Sequence, residues 1–156
     1  MARRKKIEEQ DTKDVKISQQ GEYYYAHGRR KTATARVRLY KNAVSARKPG
    51  IQLIVNEQPA EEYFPGDVAK AAYSKPFEIT GTLGDFAATV KVEGSGKSGQ
   101  LAAVVHGLAN ALVSINPEFK PALRKAGLIT RDPRAKERRK YGFAQKARKR
   151  KQSPKR

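Results

Sequence analysis

With 156 residues, 34 Lys or Arg against 15 Asp or Glu and a formal net charge of +19, the chain is strongly basic and long enough for one small domain. The absence of cysteine excludes a disulfide framework and any Cys-based zinc or redox centre, so a reducing cytosol is the expected setting and neither a metal nor another cofactor is expected. No apolar run approaches the roughly 18 residues of a membrane span. Ala2-Arg3-Arg4-Lys5-Lys6 leads into acids rather than a hydrophobic signal segment, which points to a soluble protein that is not exported.

Residues 1–22 mix six bases with five acids and hold almost no large apolar side chain, the composition of a flexible lead-in. The globular part is expected over residues 23–128, where Ala, Val, Leu and Ile concentrate. Ala33, Ala35, Val37 and Leu39 alternate with Thr34, Arg36, Arg38 and Tyr40, and that period of two predicts a strand with one buried face. Its other face carries two guanidinium forks able to grip phosphates and the Tyr40 ring, able to stack on a base. Residues 42–50 read as an exposed basic loop around Arg47 and Lys48, after which Ile51, Leu53 and Val55 resume the alternation as a second strand.

Residues 62–66 predict a turn anchored by Tyr63 and Phe64. Asp67 is placed to cap a short helix through Val68, Ala71 and Ala72 to Tyr73, which Lys75-Pro76 should end. Phe77 and Ile79 then suggest a strand, and residues 81–85 a turn. Phe86, Ala88, Val90 and Val92, alternating with Ala87, Thr89, Lys91 and Glu93, give the clearest strand of all. Beyond the glycine-rich turn at 94–99 the period changes at Gln100. Leu101, Val105, Leu108, Leu112 and Ile115 form a helical stripe expected to pack on the sheet, with Ala103, His106, Gly107, Asn110 and Ser114 as its small, polar back. Asn116-Pro117 stops this helix, residues 121–126 predict one more short helical turn, and Gly127 suits a left-handed cap.

Charge concentrates at the C-terminal end. Residues 129–156 hold thirteen Lys or Arg against only Asp132 and Glu137. Such a segment repels itself and lacks the apolar matter to offset the entropy of ordering, so it should order only on a polyanion. Nucleic acid, an anionic membrane and an acidic protein all fit a large positive charge. A membrane-surface segment needs an apolar helix face opposite the charge, however, and the tail offers only Tyr141, Phe143 and scattered Ala. Aromatics interleaved with bases favour nucleic acid, as does a short helix expected through Arg138, Arg139 and Lys140, capped by Asp132-Pro133 and without an apolar face to bury.

Enzyme motifs are weak by comparison. Gly94-x-Gly96-x-x-Gly99 follows a strand and opens a helix, as a dinucleotide fingerprint does, but the strand is half polar and the chain too short for paired βαβαβ halves. A Walker spacing fails, because its first glycine would fall at Lys91. The economical reading is a turn that approaches a phosphate or a neighbouring backbone closely. His27 reads as a polar turn residue and His106 as part of a helix's polar back; neither has partners for catalysis or metal binding. Glu61 and Glu62 read as a solvated face. No catalytic residues are assigned.

Several blocks in the right order resemble the universal S-nine family of the small ribosomal subunit, in its bacterial or organellar form. They are residues 24–39, Glu62-Tyr63-Phe64-Pro65, the glycine turn and helix through Gly99, Gln100, Ala103, Gly107, Ala109 and Leu112, then residues 123–134 and 137–142. The chain is similar to that family over nearly all of residues 24–156. Ser95 stands in place of the family's middle glycine, Asn110 in place of a usual base, and the ending reads Ser153-Pro154-Lys155-Arg156.

What the resemblance implies is an α+β fold in a single domain of the ribosomal S-five second-domain type. It would have a mostly antiparallel four-stranded sheet with helices on one face, plus a long basic C-terminal tail over residues 129–156. It also implies a non-enzymatic, cytoplasmic component of the small subunit, bound to ribosomal RNA in the subunit head beside neighbouring head proteins, whose tail reaches peptidyl-site transfer RNA. The RNA contacts expected on this basis are Arg29, Arg30, Lys31, Arg36, Arg38, Lys97, Arg131, Arg134, Arg138, Arg139, Lys140, Tyr141, Arg148 and Arg150, with Lys155 and Arg156 expected at transfer RNA.

Overall fold

Alternating small apolar and polar residues build a hairpin first. In the computed structural model, which describes residues 22–41, 51–143 and 146–148, β1 (Tyr23–Arg30) and β2 (Ala33–Lys41) pair antiparallel with Tyr23 opposite Tyr40 and Arg30 opposite Ala33. The lead-in before residue 22, the basic loop at 42–50 and the expected contacts Arg150, Lys155 and Arg156 lie outside the described residues. Next come β3 (Gln52–Val55), the two-residue β4 (Gln58–Pro59), the short α1 (Ala60–Tyr63), α2 (Asp67–Thr80), β5 (Phe86–Glu93), α3 (Lys97–Ile115) and α4 (Phe119–Lys125).

The sheet runs β1-β2-β5-β3-β4. β2 pairs antiparallel with β5, β5 parallel with β3, and β3 antiparallel with β4. The fold is thus a single mixed α+β domain, and the expected four-stranded sheet is corrected to a mixed one of five strands. The added strand follows a tight turn at Asn56-Glu57, both in the left-handed region, which closes a hairpin too short for any alternation to announce it. Asn56 also lengthens the parallel pairing. Its backbone N–H donates to Val90 O, and its side-chain amide accepts from Val92 N at 2.9 Å and donates to Val92 O at 3.0 Å, as a further strand residue would.

Two expectations around residue 76 fail together. Pro76 lies inside α2 instead of ending it, and Phe77 and Ile79 are helical rather than a strand. Tyr73, Pro76 and Phe77 are buried at a spacing of three and four, so one helical face fills the core there and offsets the cost of an interior proline. The helix ends at Gly81, where Gly81 N–H donates to Glu78 O and Thr82 N–H to Phe77 O. α4 closes similarly at the expected Gly127, with Gly127 N–H on Arg124 O and Leu128 N–H on Leu123 O.

α3 begins at Lys97 and turns Ala103 and Gly107, expected on its back, toward β1 and β2; of the expected stripe Leu108 and Leu112 are buried, whereas Leu101, Val105 and Ile115 are only partly so. By length and composition its 19 residues could cross a bilayer, but it is the central helix of this core, packed against β1, β2 and β5 and touching α2 and α4. The reason Ala103 and Gly107 face β1 is steric. Gly28 on β1 lies so close to α3 that a Cβ there would stand 2.0 Å from Ala103 O and 2.4 Å from Gly107 N. Leucines on that side would hold the backbones apart, so Ala103 and Gly107 face the strand and the larger residues face elsewhere.

The glycine-rich turn is likewise used inside the protein. Gly94, at φ +79, faces the β1–β2 turn, where a Cβ would meet Thr32 O at 2.4 Å. Gln100 Nε2 donates to Gly94 O, and Gln100 Oε1 accepts from Tyr63 OH at 2.9 Å. Gly96, by contrast, has ordinary φ and open space around it. Gly28→Ala should therefore destabilise the full-length protein by about 3 kcal/mol, since neither facing backbone can withdraw. Gly96→Ala should change stability by no more than about 0.5 kcal/mol. Urea unfolding of the two variants, followed by far-UV circular dichroism, checks both.

Candidate nucleic-acid interface

The sheet has one covered and one open face. Ala26, Gly28, Ala35, Val37, Leu39, Ala88, Val90 and Val92 are buried under the helices, and their alternates face outward. Across the open face the register places Arg29, Thr34 and Glu93 in one row, then His27, Arg36 and Lys91, then Tyr25, Arg38 and Thr89, then Tyr23 and Tyr40. Arg36 and Arg38 are exposed as expected, but Tyr40 is corrected as the stacking ring. It is 6% exposed, with the Tyr23 ring 5.8 Å away. The Arg38 guanidinium lies 5.3 Å from the Tyr23 centroid, a cation–π contact that holds the fork against the sheet. His27 is a strand residue on this face rather than a turn residue.

A second basic cluster gathers where β1 ends and the C-terminal segment begins. Arg30 pairs with Asp132 at 2.8 Å and donates to Arg134 O at 3.3 Å. Arg134 closes on Asp132 through Nε and Nη2, and its backbone N–H also reaches Asp132 Oδ1. These bonds from Arg134, with Arg30 adding to them, hold the Asp132 carboxyl far below the usual carboxylate range. Asp132 therefore fastens the segment to the hairpin instead of capping a helix. Residues 131–140 carry no regular secondary structure, which corrects the short helix expected through Arg138, Arg139 and Lys140. With no apolar face, such a helix has nothing to stabilise it here.

His106 joins the same place from the helix side. Its Nδ1 accepts from Arg29 N–H at 3.2 Å, which leaves the proton on Nε2, and Nε2 donates to Ile129 O at 2.9 Å. The Asn110 amide, one turn on, donates to His27 O at 3.3 Å. Both side chains thus supply partners to the backbone of edge strand β1, and His106 ties that edge to the root of the tail. Burial, with lesser contributions from His27 and Arg131, pushes the His106 pKa down against the raising effect of the Ile129 bond. Sequence reasoning gave His106 only a place on a polar helix back. The signal available was His106 and Asn110 at a spacing of four beside Gly107.

Farther along, the chain doubles back at Tyr141-Gly142. Lys140 N–H donates to Lys146 O, and Arg148 makes a bidentate pair with Glu137 at 2.6 and 3.0 Å. Arg148 holds the Glu137 pKa below its ordinary value. Arg131, Arg134, Arg138, Arg139, Lys140, Tyr141 and Arg148 are all exposed, and Lys31 projects from the β1–β2 turn. Lys97 stands apart from both clusters. Its ammonium lies 3.2 Å from the Tyr63 ring centroid and donates to Tyr63 O, so it meets a phosphate only by sharing or leaving that seat. Among the described residues no cluster of His, Cys, Asp or Glu could hold a metal ion.

Residues 28–156 match the family described as Ribosomal protein S9/S16. The chain belongs to this family. It is 44% identical over 121 residues to the small ribosomal subunit protein uS9 of Maridesulfovibrio salexigens, covering 78% of this chain and 88% of that relative. As a ribosomal S9 protein it is a structural component and not an enzyme. Its glycine turn, packed against the β1–β2 turn and held by Gln100, is part of the scaffold.

His106 makes one stability effect depend on pH. Its folded pKa lies below the unfolded value near 6.5, so the neutral ring's contribution is complete above that value and is lost as pH falls through the folded pKa. His106→Leu should cost about 1 kcal/mol at pH 8, the contribution of partly exposed hydrogen bonds. The gap from the unchanged protein should shrink steadily below pH 6.5. Thermal unfolding of both proteins from pH 5 to 8 measures it.

Proposed function

We propose that the protein binds ribosomal RNA in the head of the small subunit, beside neighbouring head proteins, and extends its C-terminal residues to peptidyl-site transfer RNA in cytoplasmic ribosomes. The observation that carries this is the union of a fastened root and an exposed basic run. His106, Arg30 and Asp132 fix where residues 129–134 leave the domain, and the described bases beyond them, from Lys136 to Arg148, face solvent. A domain over residues 23–128 acts as the anchor, through Arg29, Arg30, Lys31, Arg36 and Arg38, with Lys97 a lesser contact while Tyr63 holds it. Residues 129–156 act as the reach, with Arg131, Arg134, Arg138, Arg139, Lys140, Tyr141, Arg148 and Arg150 along RNA and Lys155 and Arg156 at its end. From Gly142 to Arg156 an extended chain could span about 45 Å.

Phosphate neutralisation releases condensed counterions, so binding to ribosomal RNA should fall steeply with salt, each neutralised phosphate adding about 0.7 to 0.9 to the log-log slope. Protein truncated after Leu128 should show a much flatter slope; an unchanged slope would mean that the tail is not the main electrostatic element. Deleting only Lys155 and Arg156 should leave assembly nearly intact, because eleven other tail bases remain. Transfer RNA should then leave the peptidyl site of purified small subunits faster, by about ten-fold, as one lost charge-assisted hydrogen bond allows. Equal dissociation rates at low magnesium would remove the role given to these two residues.

A further inference from the structure

The open face of the sheet holds bases whose charge no described residue answers. Arg36 and Lys91 stand directly opposite each other on β2 and β5, with His27 completing the row from β1. Like charges in register across a sheet destabilise it, and a polyanion lying on the row removes that repulsion. Among the described residues neither Arg36, Arg38 nor Lys91 has a carboxylate partner. Glu93, one row away, is the sole acid in these rows. The contrast with Arg30, Arg134 and Arg148, each paired to an acid, is sharp.

Beside this row stands an unused ring. Tyr25 is 53% exposed, and among the described residues it has no aromatic or cationic partner, whereas Tyr23 is engaged by Tyr40 and Arg38. Same-face neighbours along a strand lie about 6.8 Å apart, roughly twice the 3.4 Å rise between stacked bases. Bases in a duplex cannot reach such a ring, since they are stacked on one another, but an unpaired base splayed from its neighbours can. An open sheet face with an exposed ring flanked by Arg and Lys side chains matches the way single-stranded nucleic acid is gripped elsewhere.

We propose that this open face, built from Tyr25, His27, Arg36, Arg38 and Lys91, seats an unpaired RNA segment, with one base stacked on Tyr25 and its flanking phosphates on the Arg36–Lys91 row. The assignment rests on the ribosomal RNA reading and adds to it a second docking surface, different from the tail in what it recognises. The tail follows charge. The sheet face requires an exposed base, so it distinguishes loops and bulges from helices.

The test uses the full-length protein with two probes at matched length and salt, an unstructured oligouridine and an A-form RNA duplex. Tyr25→Leu, which keeps apolar bulk on an exposed strand position, should weaken oligouridine binding about ten-fold, leaving duplex binding and the salt slope unchanged. Tyr25→Phe should bind like the unchanged protein, and Lys91→Gln should lower the oligouridine salt slope by about 0.7. Equal affinities for Tyr25→Leu and the unchanged protein, or an equal loss on both probes, would overturn the proposal. So would cross-linking of Tyr25 to a protein rather than to RNA in assembled subunits. Sedimentation of the unchanged protein with small subunits in high salt separates the two readings. If it fails to co-sediment, the ribosomal RNA assignment itself is lost; if it co-sediments while Tyr25 proves indifferent, only the sheet-face assignment falls.

Discussion

The contact between α3 and β1 is closer than ordinary side chains permit, and most of what surrounds the C-terminal segment follows from it. With Gly28 on the strand and Ala103 and Gly107 on the helix, backbone meets backbone, and the polar residues flanking Gly107 are carried to the edge of the sheet. That is why His106 reaches Arg29 N–H and Asn110 reaches His27 O. An eight-residue edge strand would otherwise offer unpaired backbone groups to any passing chain. Here the helix blunts part of that edge, and in doing so presents His106 Nε2 to Ile129. One packing decision thus blunts an edge and sets the departure point of the C-terminal segment.

The ion pairs at this departure point are better understood as guides than as sources of stability. Exposed pairs contribute little to folding, since solvent screens them and ordering long side chains costs entropy. What the Arg30, Asp132 and Arg134 triad supplies is direction, because a carboxylate held by two guanidiniums from different segments leaves the chain few ways to leave the hairpin. The open sheet face behaves oppositely. Among the described residues its bases meet no acids, and its geometry is fixed by the ladder rather than by ion pairs.

Much of this architecture was legible wherever one residue-type period ran long enough. β2, β3 and β5 follow from alternation, and the second cap from Gly127, whereas β1, where His27 read as a turn residue, did not. What failed had short or compensated signals. Pro76 reads as a helix stop in any local scheme, yet burial of Tyr73 and Phe77 carries α2 through it. The face of α3 was read only in part: Leu108 and Leu112 are buried as the stripe implied, but hydrophobicity ranks leucine above alanine and glycine, whereas the close approach to β1 selects the small volumes of Ala103 and Gly107. Of the candidate interface, the exposed bases could be read from sequence, but Lys97 on Tyr63 and the covered Tyr40 could not, since both depend on partners far along the chain. Lys91 was visible only as a polar member of an alternating strand and Tyr25 only within the block 24–39; the register between strands made them neighbours of Arg36 and Arg38.

The two acids of the tail take on meaning from the arginines they hold. Asp132 and Glu137 each fix a guanidinium and thereby shape a segment that charge repulsion would otherwise straighten. They differ in shelter. Arg30 and Asp132 keep 21% and 28% of their side-chain surface, whereas Arg148 and Glu137 keep 82% and 52%. Any phosphate competing for these guanidiniums therefore meets the outer pair in nearly full solvent, where its carboxylate is easily displaced, and the inner pair where the carboxylate is better protected. The gradient of exposure along the segment thus runs from a sheltered pair at the root, where β1 and α3 impose the direction, to an open pair beside the bend at Tyr141-Gly142.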